Sequence, residues 1–330
     1  MAIGRRIGRY AVYVNQTKNL TGQRRCCPCW RMPDSARRLL RLTFILCAIA
    51  GNLPSLAQAQ SVPGTQDRYF FTSDGVRLHY LESGPSLAPT LVLVPGWCMP
   101  AWIFAPQIVA FSRNYHVIAF DPRGQGESNI APNGYNQTRR GEDIGELLQQ
   151  LGPQPAVIIG WSLGVLDTLA YIHIEGDARI AGLVLVDNSV GENPPPRPEP
   201  YHPGPPVSRA DSMYDFVSGM FETPQSPEYL NALTAATLRL PAHDAHELLE
   251  YPVPRSYWRQ AIFSTDKPVL YIVRPHLAGQ ADNLLADRPD TQIAIYTGVG
   301  HALFVDAATR FNAQVTQFLA TTVWPAVPPP

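Results

Sequence analysis

Ser162 stands at the centre of Gly160-Trp161-Ser162-Leu163-Gly164, between the apolar run Ala156 to Ile159 and the helix-forming stretch Val165 to Ile174. The pattern predicts a strand, a sharp turn and a helix, with the serine at the apex. Glycines two before and two after the serine leave room for a strained backbone that lifts the hydroxyl out of a sheet toward a substrate. A serine hydroxyl is a weak nucleophile until a neighbouring base takes its proton. His301 is placed to be that base, because it follows the strand-like stretch Gln292 to Thr297, lies beside Gly298 and Gly300, and precedes a helical pattern from Ala302 to Leu319. A serine in mid-chain and a histidine on a late loop fit the chain order Ser, acid, His of an acyl-transfer relay.

Two other segments must help to position these groups. Leu91-Val-Leu-Val-Pro-Gly-Trp97 reads as a buried strand ending in Pro-Gly, and Ala119-Phe-Asp-Pro-Arg-Gly-Gln-Gly-Glu-Ser128 as a strand running into a Gly-rich turn. In that turn Asp121 and Arg123 read as fold-defining, and Gly124 and Gly126 lack the context of a nucleotide-binding loop. With the serine turn and the late histidine, these segments resemble the α/β-hydrolase superfamily over about residues 68 to 320, apart from one insert. The resemblance implies an α/β fold: a mostly parallel eight-stranded sheet with helices on both faces and a helical cap inserted after strand six. It also implies that Ser162 is the nucleophile and His301 its base.

The acid departs from the commonest pattern. Relatives usually carry an aspartate just past the seventh strand, yet here Val269 to Val273 runs into Arg274-Pro-His-Leu-Ala-Gly-Gln280 without a carboxylate. Some superfamily members take the acid from the end of strand six, which here is Asp187 in Leu183-Val-Leu-Val-Asp187. Asp187 is the first candidate and Asp282, in a helix-like stretch from Gln280 to Asp287, the second. The same comparison assigns the oxyanion hole to two backbone N–H groups, those of Trp97 and Leu163. Asp167 and Asp306 read as structural.

The insert spans residues 188–264. It opens with a stretch from Pro194 to Pro206 in which eight of thirteen residues are proline, a stiff extended arm that excludes helix and inner strand. Ala210 to Phe221, Pro227 to Leu238 and His243 to Glu250 follow as short helices. A cap in this position shapes the acyl pocket, and Trp161, Met213, Phe216 and Trp258 are its expected substrate-facing residues. His243 and His246 share one helix, but no further ligand set with metal-site spacing accompanies them. No metal and no organic cofactor is implied.

The N-terminus has a different character. Arg37-Arg38-Leu-Leu-Arg41, the apolar stretch Leu42 to Ala50 and the end Ala57-Gln-Ala59 describe a secretory signal peptide, with Met32 as the expected start and cleavage near Ala59. The apolar core is too short for a permanent membrane span. A lipid anchor on Cys47 is disfavoured by Leu46, where a small residue is usual. The domain reading is therefore 1–59 leader, 60–187 first part of the core, 188–264 arm and cap, 265–330 second part of the core. The leader holds ten Lys/Arg and one Asp, which leaves 16 basic and 26 acidic residues and a net charge of −10 beyond it. That balance argues against a nucleic-acid partner. Cys26, Cys27, Cys29 and Cys47 all lie in the leader, so Cys98 alone remains and no intramolecular disulfide is expected in the exported protein.

The expected activity is hydrolysis of carboxylic esters or lactones through a Ser-His-Asp acyl-enzyme on a small-molecule substrate, in the periplasm or outside the cell. The same fold leaves open a cofactor-free perhydrolase or haloperoxidase, a C–C hydrolase, an aminopeptidase and a non-catalytic ligand receptor. An epoxide hydrolase or dehalogenase would need a carboxylate where Ser162 stands.

Overall fold

The computed structural model describes residues 61–196 and 207–325, so the leader and most of the proline-rich arm lie outside the described residues. The chain starts with a hairpin, β1 (Gln66–Phe71) and β2 (Arg77–Ser83), closed by a turn in which the Gly75 N–H donates to Thr72 O. Next come β3 (Thr90–Val94), a 3₁₀ turn (Ala101–Phe104), α1 (Ala105–Phe111), β4 (His116–Asp121), α2 (Gln137–Gln150), β5 (Ala156–Trp161), α3 (Leu163–Glu175) and β6 (Ile180–Val186). Among the described residues four helices follow before the sheet resumes: α4 (Arg209–Ser218), α5 (Pro227–Arg239), α6 (Ala242–Glu247) and α7 (Ser256–Ser264). The rest is β7 (Val269–Val273), a 3₁₀ turn (Pro275–Leu277), α8 (Ala278–Asp287), β8 (Gln292–Ile295), α9 (Leu303–Asp306), α10 (Ala308–Phe318) and a last turn, Leu319–Val323.

The eight strands form one sheet in the order β1-β2-β4-β3-β5-β6-β7-β8, parallel from β4 onward and antiparallel at the β1/β2 and β2/β4 pairings. Strands β4, β5 and β7 are buried along their whole length, which explains their unbroken apolar runs: helices cover both faces. Alternate residues serve opposite layers. Val92, Ile118 and Ile158 pack with Ile144 and Leu147 of α2 and Leu169 of α3, whereas Leu91, Val117 and Val157 pack with Phe104, Ile108 of α1 and Phe311 of α10. Burial of each such side chain is worth about 1.5–3 kcal/mol.

Two features of this topology decide where chemistry can occur. The chain leaves β3 toward β4 on one side and reaches β5 on the other, so the loops after β3 and β5 diverge at the carboxyl edge of the sheet and leave a crevice between them. The segment between β6 and β7 reaches the loop after β3, where Phe216 meets Trp97. Within that segment α4 and α5 start on Ser208 and Ser226, whose hydroxyls cap Asp211 and Tyr229 N–H, and Pro227 opens α5. Helix α7 lies against α3 as part of the sandwich, although it falls within the span read from sequence as cap. The helix expected from Ala302 to Leu319 is interrupted at Ala307 (φ −120°), where Asp306 turns its side chain toward the His301 loop instead of outward. Among the described residues no helix is long and apolar enough to cross a membrane.

Candidate active site

Three non-glycine residues among those described have positive φ: Cys98 (56°), Ser162 (54°) and Asp187 (49°). Each lies just beyond a parallel strand, β3, β5 or β6. Left-handed backbone at a non-glycine residue costs on the order of 1–3 kcal/mol and persists only where the surroundings hold it. Here the holding is visible. The Ser162 N–H donates to Val186 O at 2.9 Å, its carbonyl accepts from Asn188 Nδ2 at 2.7 Å, and the Asp187 N–H donates to Ile272 O at 2.9 Å. A Cβ added at Gly164 would come within 2.3 Å of Val94 O, and one at Gly160 within 2.6 Å of Gly164 O, so the two glycines serve close approach of strand and helix.

The turn delivers Ser162 Oγ to within 2.8 Å of His301 Nε2, and His301 Nδ1 lies 2.7 Å from Asp187 Oδ2. The Asp187 side chain is fully buried and His301 about one-quarter exposed. Burial alone would push the Asp187 carboxyl up, but His301 and Arg274 outweigh it and hold the group below the usual carboxylate range. Arg274 makes two of the bonds: its Nε donates to Oδ2 at 2.7 Å and its backbone N–H to Oδ1 at 3.0 Å. Asp282 lies exposed on α8, with no bond to His301. The His301 loop is fixed on the far side by Trp161, whose Nε1 donates to His301 O at 2.9 Å while its ring packs against the imidazole and Phe304.

The other sequence-derived site residues divide. Leu163 is the first residue of α3, so its N–H has no acceptor within the helix and faces the crevice end of the dipole. Trp97 follows Gly96 in the loop after β3. That loop is held by Gln125, whose buried amide accepts from Cys98 N–H and donates to Gly96 O and Met99 O, each at 3.0 Å. The Trp97 ring meets Phe216 edge-on and its Nε1 donates to Ala245 O, which ties the loop to α4 and α6; Met213 is buried in the same apolar cluster. Trp161, expected to face substrate, is instead fully buried and engaged with His301, because it points into the layer opposite the cluster of Trp97 and Met213. Trp258 is likewise enclosed, with Nε1 near Leu166 O and its ring between Tyr251 and Tyr257.

Residues that sequence reasoning left aside also reach the site. Asp306 accepts the N–H of Gly300 at 2.6 Å, of Glu222 at 2.8 Å and of Thr223 at 3.1 Å, and Ala302 N–H donates to Met220 O; the histidine loop is thereby tied to the segment after α4. His243, Asp244 and Glu247 converge within 4.8 Å on α6, a grouping that the His243/His246 spacing did not suggest, but His243 is largely exposed. Cys98 is buried, and burial pushes its thiol up to about 12, so it is an inert packing group at neutral pH.

A crevice at the strand-order switch, a strained serine, and an imidazole bonded to a buried carboxylate define an α/β-hydrolase. The chain belongs to the alpha/beta hydrolase family, whose model matches residues 91–314. Among curated proteins it is 29% identical over 119 residues to a bifunctional esterase/perhydrolase of Acinetobacter calcoaceticus, and 34% identical over 116 residues to a non-heme chloroperoxidase of Streptomyces lividans. The matched stretches cover 36% and 35% of this chain, but only 43% and 42% of those relatives. Among solved structures it superposes on an esterase from Rhodococcus sp. ECU1013 with a TM-score of 0.65 at 22% identity, over 78% of this chain and 99% of that one. That likeness is one of fold.

Proposed function

We propose that the protein hydrolyses carboxylic esters or lactones of small molecules by a two-step acyl transfer. The observation that carries this reading is the continuous line of short contacts from Asp187 through His301 to Ser162 Oγ. His301 Nε2 takes the serine proton as Oγ attacks the carbonyl carbon. Asp187 holds Nδ1–H and with it the tautomer in which Nε2 is free to accept. The Leu163 and Trp97 N–H groups receive the negative charge that develops on the carbonyl oxygen. The imidazolium then gives its proton to the departing alcohol, and a water activated by the same nitrogen releases the acid.

Helices α4 to α6 act as a cap in this reading, with Phe216 on the acyl side through its contact with Trp97 and Met213 in the same apolar cluster. Export after removal of the leader is part of the same proposal, and sequencing of the mature protein is expected to find an N-terminus near Gln60. Turnover of p-nitrophenyl esters from acetate to laurate, beside Ser162→Ala, tests the activity: serine-dependent hydrolysis with a chain-length optimum supports it, and equal rates in the two proteins refute it.

The resemblance to an esterase/perhydrolase and a chloroperoxidase favours one further reading, in which hydrogen peroxide replaces water in the second step. The same acyl-enzyme would then yield a peracid. Peroxide-dependent bromination in acetate buffer, lost in Ser162→Ala, distinguishes this from simple hydrolysis.

A further inference from the structure

In the described part of the chain, the carboxylate that faces His301 is shared with a cation. Arg274 directs Nε at the same oxygen, Asp187 Oδ2, that faces His301 Nδ1, both at 2.7 Å, and brings its terminal Nη2 to 3.5 Å from Nδ1 itself. We propose that Arg274 is a positioning and charge-balancing residue of the Asp187–His301 pair, fixing the carboxylate on which the imidazole rests while opposing formation of the imidazolium. The proposal rests on the acyl-transfer reading above.

The geometry comes from the sheet. Strand β7 lies beside β6, with Val186 paired to Ile272, so the first residue past β7 reaches the first residue past β6. Asp187 thus meets Arg274 twice, through backbone N–H and side chain, and a substitution at 274 leaves the backbone contact in place. An Asp-His pair alone carries one negative charge at rest and becomes neutral when the imidazole is protonated. With Arg274 the group is neutral at rest and positive when protonated. The added cation therefore disfavours the imidazolium, which keeps the base free to accept a proton in more acidic solution, at some loss of stabilisation later in the reaction.

Most other groups around the pair are neutral or engaged by other partners. Ser162 is neutral. Tyr271 of β7 donates its hydroxyl to Asn188 O, and burial raises its titration far above neutrality. Arg255, ahead of α7, donates to Glu192 O, and Glu192 is paired with Arg259. Asp306 of α9 spends its charge on the N–H groups of Gly300, Glu222 and Thr223. His276 is exposed in the turn after β7. Arg274 pairs directly with the Asp187 side chain, Nε to Oδ2 at 2.7 Å.

The test is the pH profile of kcat/KM for p-nitrophenyl butyrate with the full chain, comparing wild type, Arg274→Met, Arg274→Gln and Arg274→Lys, each checked for folding by near-UV circular dichroism. His276→Gln serves as the control for the neighbouring imidazole. Arg274→Met and Arg274→Gln are expected to move the acid limb to higher pH by about one unit, the low end for a charge at this range, because Arg274 is partly solvated. Arg274→Lys is expected to stay within about 0.3 unit of wild type. An acid limb that stays in place or moves to lower pH in the neutral variants overturns the proposal, as does a lysine variant that shifts as far as methionine. Because two neutral variants are made, misfolding of one leaves the other to decide. Failure of the acyl-transfer reading itself would show separately, as turnover retained in Ser162→Ala.

Discussion

Gln125 offers the sharpest test of how the proposed oxyanion loop is held. Its amide makes three bonds to the loop after β3, to Cys98 N–H, Gly96 O and Met99 O, and the side chain is almost wholly buried. Gln125→Leu keeps the volume and removes all three. Gly96 O retains the Met99 N–H as a donor at 3.2 Å, so two backbone groups lose a partner, at about 1–2 kcal/mol each. The predicted loss of stability is therefore about 2–4 kcal/mol, measured by denaturant unfolding. The kinetic effect follows from what the loop presents. Loss of one oxyanion donor costs about 10²–10³ in kcat, and a loop that is loosened rather than deleted should lose about 10–100-fold, with KM changed less than about threefold. Binding of an alkyl boronic acid, which mimics the tetrahedral adduct, should weaken in parallel with kcat. A folded Gln125→Leu protein with kcat within about threefold of wild type would refute the reasoning, because the amide would then be structural support with no bearing on where the Trp97 N–H points.

Other outcomes follow from the same geometry. Asp187→Asn should lower kcat by roughly 10³–10⁴ while Asp282→Asn stays near wild type, and the reverse ranking in ester kinetics would move the acid to Asp282. Asp306→Asn should lower kcat about threefold to tenfold and destabilise the protein by about 1 kcal/mol, since the variant keeps only one acceptor oxygen for the N–H groups of Gly300, Glu222 and Thr223. Burial pushes the Asp306 carboxyl up, but those N–H groups and the Thr223 hydroxyl outweigh it and hold it below the ordinary value. Its contribution is therefore present above the unfolded-state value and lost as pH falls through the lower folded-state value, and the melting-temperature gap between wild type and Asp306→Asn should close on acidification. Trp161→Phe, which removes the bond to His301 O, should reduce kcat with little change in chain-length preference, whereas a shifted preference would restore Trp161 to the pocket wall.

What the sequence conveyed, and what it withheld, follows from the reach of each signal. The serine turn was legible because its chemistry is local: strand, two close-packed glycines and helix stand within twenty residues. The sheet was legible for the same reason, since inner strands covered on both faces must read as apolar runs. His301 could be placed from the elements on either side of it. Asp187 required the resemblance, because an aspartate that ends a strand looks alike whether or not an imidazole lies opposite. Arg274, Gln125 and Asn188 gave no signal, as each acts by one side chain reaching across strands or loops, and no periodicity records such a reach. The misplacement of Trp161, which like Trp258 is enclosed, is similarly physical. Trp161 precedes Ser162, and strand alternation sends its ring into the layer beneath the serine, where it packs against His301.

A covalent acyl-serine is the central intermediate of the proposed reaction. The measurement is acid quench of the full-length protein during turnover of a p-nitrophenyl ester, followed by peptide mass spectrometry. The predicted result is an acyl adduct on the peptide that carries Ser162, formed as fast as the first equivalent of p-nitrophenol and absent from Ser162→Ala. Ester turnover with no adduct on that serine, or undiminished turnover in Ser162→Ala, would contradict it.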